Sequence, residues 1–150
     1  MPRKPPTSLS IGLNLRIANL PRADGNSAVM RSLARSLAQN CHDHHLVYFL
    51  DSEPIPPLSG LPNVEAKVLR PFPMMNTLLT RLGGADPWYR YRLRLSRAWN
   101  SLDAIICSAH EPVPVGTGPP RVAIVHDLAF MRVDAERYFP HEVIRHLDRW

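Results

Sequence analysis

The chain has 150 residues, enough for one domain with a real core, and its 45% hydrophobic and 21% charged content is that of a globular protein, which excludes disorder of the whole chain. A net charge of +5 favours acidic partners (nucleic acid, anionic lipid or phosphorylated ligands) without choosing among them. No stretch reaches the roughly 18 uninterrupted apolar residues that a membrane span needs, and the basic start, MPRKPP, is not followed by the long apolar run and cleavage site of a secretory signal.

Residues 1–7 read as a loose tail, and the domain is expected over 8–150. The first strand is expected over 8–15, with apolar residues at 9, 11, 13 and 15 and small Ser10 and Gly12 between them, a period of two. A turn follows over 19–26, NLPRADGN, punctuated by Pro21 and Gly25. The spacing then predicts a helix over 27–41. Met30, Leu33, Ala34, Leu37, Ala38 and Cys41 lie on one side and Arg31 and Arg35 on the other, with Asp24, Asn26 or Ser27 as cap. The continuous apolar run 46–50, LVYFL, suits a buried parallel strand.

After a proline-rich loop, residues 64–69 form the next expected strand. A short helix is expected over 76–82, ended by Gly83 and Gly84. Apolar residues at 88, 91, 95, 98, 99 and 102 predict a helix over 88–102, and 104–107 and 122–125 read as short strands. A last helix is expected over 134–150, with Val143, Ile144, Leu147 and Trp150 on one face; RHLDRW carries no stop signal, so the chain is expected to end inside an element. The 16 prolines, about twice the usual share, mark the loops between these elements.

Strands alternating with helices predict an α/β fold: a Rossmann-like, mostly parallel sheet with helices on both faces. Ligands of such sheets bind outside the carboxyl ends of the strands. The residues expected at that edge are Asn14, Arg16, Gly25 and Asn26 after the first strand, Asp51 and Ser52 after the second, Ser108, His110 and Glu111 after the fourth, and His126 and Asp127 after the fifth. A histidine ending a buried strand suits proton transfer or hydrogen bonding near neutral pH, or it simply caps the strand. Gly25 and Asn26 open a helix, where free N–H groups suit a phosphate or a sugar hydroxyl, although one glycine is far from a dinucleotide fingerprint.

Three stretches resemble the N-terminal domain of the family-four retaining glycosyltransferases, in their mannosyltransferase-like branch. They are RSLARSL over 31–37, LDAIICS over 102–108, and VHDLAF over 125–130 with Tyr138, Phe139 and Pro140 downstream. The resemblance implies the N-terminal half of a GT-B fold, two Rossmann-like domains facing across a cleft. It implies that this half holds a glycan or lipid-linked acceptor and that a C-terminal domain, not contained in these residues, holds the nucleotide-sugar donor. It further implies retention of configuration, no cofactor, no metal, and His126 close to the transferred sugar. On this expectation the chain is incomplete and does not turn over alone.

The stretch from Trp88 to Trp99 carries Arg90, Arg92, Arg94 and Arg97 among aromatic residues. It reads as a solvated helix face, as a contact for anionic membrane, or, least favoured, as a nucleic-acid surface. His42, His44 and His45 favour the dipole at a helix end, and zinc lacks partners of convincing spacing. Cys41 and Cys107 read as buried thiols of a reducing compartment. The expected location is cytoplasmic, with peripheral contact at the inner membrane surface. The competing reading is a non-catalytic α/β module that binds a glycan, a nucleotide or a partner subunit.

Overall fold

The structure is a computed structural model, and it describes residues 8–19, 25–70, 92–108 and 118–124. Its elements are β1 (Ser10–Asn14), α1 (Gly25–Asn40), β2 (His45–Leu50), β3 (Val64–Val68), α2 (Arg97–Asn100), β4 (Ala104–Ser108) and β5 (Arg121–Ile124), with 3-10 turns at Ile17–Asn19 and Pro56–Leu58. All pairings are parallel, and the strand order is β3-β2-β1-β4-β5. The fold is therefore the Rossmann-like α/β sheet that the strand–helix alternation predicts, and its order reverses between β1 and β4.

β2 is the strand that must be apolar on both sides, and only His45 of its six residues is exposed. Alternation along it divides the core. Leu46, Tyr48 and Leu50 join Leu13 and the Met30, Ala34 and Ala38 stripe of α1 in one cluster. Val47 and Phe49 join Ile105, Cys107, Leu93, Trp99 and Leu102 in the other. Among the described residues, α1 thus covers one face, and α2 with the flanking Leu93 and Leu102 covers the other. Tyr48 ties β2 to α1, its hydroxyl donating to the Ala34 carbonyl at 2.6 Å, and burial pushes its phenol up to about 12. Gly12 is small because α2's trailing segment crosses β1 there: a Cβ at that position would lie 2.6 Å from Leu102 Cδ1. At the edges, β3 is half-buried and β5 is mostly exposed. Along β3, Glu65 pairs with Lys67 and with His45 of β2.

Three expectations need correction. The helix predicted over 88–102 is broken at Ser96, whose backbone is extended (φ −65, ψ 128) and caps α2; residues 92–95 form a separate helical turn. The break shifts the buried positions, so Leu93 and Trp99 are fully buried while Leu95, expected in the core, is 77% exposed. Serine accepts this readily, since its extended cap conformation competes with a continuous helix. Next, Arg31 was expected on the solvent side of α1 but donates through Nε to the Ala18 carbonyl at 2.6 Å, fastening the helix to the turn after β1. Finally, Cys107 is buried as expected but Cys41 is only half-buried; both are free thiols. The helices expected over 76–82 and 134–150, and the tail 1–7, lie outside the described residues.

Candidate functional site

The carboxyl edge is built outward from β1. Asn14, its last residue, is fully buried, and Leu15 continues the ladder by donating to the Phe49 carbonyl at 3.0 Å. The chain then turns through Ile17–Asn19, and Ser27 Oγ donates to the Ile17 carbonyl at 2.9 Å. That bond, with the Arg31–Ala18 bond, seats the first turn of α1 beside the end of β1. Gly25 and Asn26 therefore stand at this edge, in a helix start that carries no acidic residue; a Cβ at Gly25 would meet nothing within 4 Å. Asp24, the third capping candidate, lies outside the described residues, and Asn26 and Ser27 lie inside the helix.

Among the described residues, Asn14 is the one buried polar group at the edge whose amide is half used. Its Oδ1 accepts from the Arg16 backbone N–H at 3.4 Å, which fixes the nitrogen on the other side, and Nδ2 has no partner among the described residues. A buried amide hydrogen left unpaired costs about 1–3 kcal/mol. Asn14 shares the sheet face of Gly12, Phe49 and Cys107, by alternation and by its register opposite Phe49. Ser108, also fully buried, alternates with Cys107 and so belongs to the face of Ile106 and α1. Asn14 and Ser108 thus flank the reversal of strand order but from opposite faces. His110, His126 and Asp127 lie outside the described residues.

Between β1 and β2 the edge is closed by a network. Arg16 Nε donates to Asp51 Oδ2 at 3.1 Å, and Ser52 Oγ donates to Asp51 Oδ1 at 3.2 Å. Asn19, only 4% exposed, donates through Nδ2 to Ser52 Oγ at 2.8 Å, to the Ser52 carbonyl at 3.2 Å and to the Glu53 carbonyl at 2.9 Å. Its Oδ1 accepts from the Ile55 N–H at 3.0 Å. Sequence reasoning placed Arg16, Asp51 and Ser52 at the edge but treated Asn19 as the start of an ordinary turn. Its only signal was an asparagine a few residues after an apolar strand and two before the proline of a turn.

Two of the three histidines after α1 have partners away from the helix end. His44 Nδ1 accepts from the Leu9 N–H at 3.4 Å, and His45 opens β2 beside Glu65. Among the described residues, no three His, Cys, Asp or Glu side chains gather into a metal site, and no helix is long and apolar enough to cross a membrane.

No protein-family model matches this sequence, and no curated protein matches it either. Two solved structures are similar in outline: the crystal structure of RSP, a Rex-family repressor, and that of RSP in complex with β-NADH. Each is 14% identical to this chain with a TM-score of 0.40, over 93% of this chain and 63% and 64% of the respective solved chains. This chain therefore spans less than two thirds of their length, and a likeness so slight carries no argument about function.

Proposed function

We propose that this chain is the acceptor-side part of a retaining glycosyltransferase, which holds a hydroxyl-bearing glycan or lipid-linked acceptor at the carboxyl edge of its sheet. The observation that carries the reading is the meeting of motif and topology. β5 ends at Ile124, so VHDLAF begins at the very next residue, after a strand whose parallel neighbours bring Asn14 and Ser108 to the same edge. A nucleotide sugar would be presented by a donor domain beyond these residues. His126 would orient a sugar hydroxyl or support the oxocarbenium-like transition state through a hydrogen bond, rather than attack as a nucleophile. An acceptor hydroxyl oxygen is also what the unpartnered Asn14 Nδ2 lacks on its face of the sheet, while the first turn of α1 offers N–H donors at the other face of the same edge.

Exposed Arg94, Leu95 and Arg97, in a segment from 92 to 100 without an acidic residue, support peripheral contact with an anionic membrane on the cytoplasmic side. A second reading, a non-catalytic binding module for a nucleotide, glycan or partner subunit, draws on the strand order alone, which is also that of nucleotide-binding domains. A thermal-shift panel separates the two. Oligosaccharide or lipid-linked glycan acceptors should raise the melting temperature and nucleotide sugars should leave it unmoved. A shift with nucleotides alone would refute the acceptor-side assignment.

A further inference from the structure

In a domain with this strand order, a dinucleotide's adenosine ribose is held by an acidic side chain at the carboxyl end of the second strand, whose carboxylate takes the ribose hydroxyls. Asp51 is the residue directly after β2 and stands at that place. Both of its oxygens are taken by the chain itself, Oδ2 by Arg16 Nε and Oδ1 by Ser52 Oγ, and Ser52 Oγ is in turn held by Asn19 Nδ2. Asp51 and Arg16 side chains are only 22% and 27% exposed, so the pair is partly withdrawn from water and screened less than a surface ion pair. The described part of the connection from β1 to α1, residues 15–19, leaves the strand through the Ile17–Asn19 turn, with Ala18 fully buried and Asn19 pinned to the loop after β2.

We infer that the Asn19–Ser52–Asp51–Arg16 network is a built-in occupant of the ribose position, and that Arg16 and Ser52 are the specificity determinants that exclude ribose-bearing nucleotides from the β1–β2 side of this edge. A ribose diol donates two hydrogen bonds to one carboxylate. To reach Asp51 it must displace a guanidinium, which is a stronger donor than a hydroxyl and is already tethered. Ligands are thereby directed to the other side of β1, where the strand order reverses toward β4. The inference stands apart from the glycosyltransferase reading, since it concerns what the edge refuses.

The test is a calorimetric titration of the chain with ADP-ribose and with NADH, repeated on three variants: Arg16→Ala/Ser52→Ala, the same pair with Asp51→Asn, and Asp51→Asn alone. The wild-type chain should show no saturable binding tighter than about 1 mM. The double variant, which frees both carboxylate oxygens, should bind at least about tenfold more tightly, as one recovered charge-assisted hydrogen bond allows. Adding Asp51→Asn should abolish the gain. Circular dichroism of each variant establishes that the fold is intact before binding is compared. Micromolar binding by the wild-type chain that Asp51→Asn weakens would overturn the inference, and so would a folded double variant that gains nothing.

Discussion

Replacing Asn19 by alanine removes four hydrogen-bond contacts at one stroke, three of them shared between the two hydrogens of Nδ2, and their value can be worked from the surroundings. Each neutral bond contributes about 0.5–1.5 kcal/mol net. The Ser52 and Glu53 carbonyls belong to exposed residues and recover water, so their loss falls at the low end. The Ile55 N–H is in a partly buried residue packed on the α1-side core and recovers less. With the small void left by a side chain of a residue only 4% exposed, Asn19→Ala should cost about 2–3 kcal/mol. For a chain of this size that corresponds to a fall of roughly 5–10 °C in melting temperature. Asn19→Asp keeps the acceptor for Ile55 but sets a carboxylate against the Ser52 and Glu53 carbonyls. That variant should be at least as unstable as the alanine at pH 7. Burial and the facing carbonyls hold the new carboxyl's pKa above its unfolded value, so the deficit should shrink as pH falls through that raised pKa and the group becomes a donor. Urea unfolding followed by the fluorescence of buried Trp99 measures both. A loss below about 0.5 kcal/mol for the alanine, or an aspartate variant as stable as wild type at pH 7, would refute the network's role.

Three further perturbations address Tyr48, Gly118 and Asn14. The Tyr48 phenol is raised to about 12 by burial, against the ordinary 10.0. Below pH 10 its contribution is intact, and between 10 and 12 the unfolded chain ionises first, so stability should fall by roughly 3 kcal/mol across that window. Tyr48→Phe should flatten that alkaline limb in pH-dependent unfolding, at a cost of about 1 kcal/mol at neutral pH. Gly118→Ala would set a Cβ 2.8 Å from Trp99 Nε1 and 2.9 Å from Cζ2, and a fully buried indole cannot yield easily. Denaturant midpoints should report about 1–3 kcal/mol lost; an unchanged midpoint would contradict the packing. Asn14→Leu removes the unpaired Nδ2 together with the Oδ1 that accepts from the Arg16 N–H, so the stability of the ligand-free chain should change by no more than about 1 kcal/mol while glycan binding weakens at least tenfold. A clear loss of stability would mean that Nδ2 is satisfied after all.

Much of the sheet was legible because parallel strands covered on both faces are written as short apolar runs. LVYFL needs no partner to be recognised, and the alternation around Gly12 marked β1. α1 was legible because its Met30, Ala34 and Ala38 stripe repeats every four residues. The break at Ser96 was not, because apolar residues recur densely enough between 88 and 102 to fit an unbroken helix; only packing decides that Leu93 and not Leu95 turns inward. At the edge, sequence gave the chain positions of Asn14, Arg16, Asp51 and Ser108 but not their grouping. That Asn14 and Ser108 belong to opposite faces follows from strand register. That Arg16 is spent on Asp51 follows from the arrangement of two loops 35 residues apart in sequence, which no local pattern records.

A nitrogen–proton chemical-shift map of this chain titrated with an oligosaccharide acceptor decides whether the carboxyl edge of the sheet holds a glycan. Saturable shifts should be confined to the carboxyl edge, at Asn14 and its side-chain amide, Gly25, Asn26, Ser108 and the backbone around His126, with Asp51 and Ser52 little moved. Shifts concentrated at the opposite end, around Asp103 and Asn63, or none with any glycan while a nucleotide shifts Asp51 and Ser52, would contradict it.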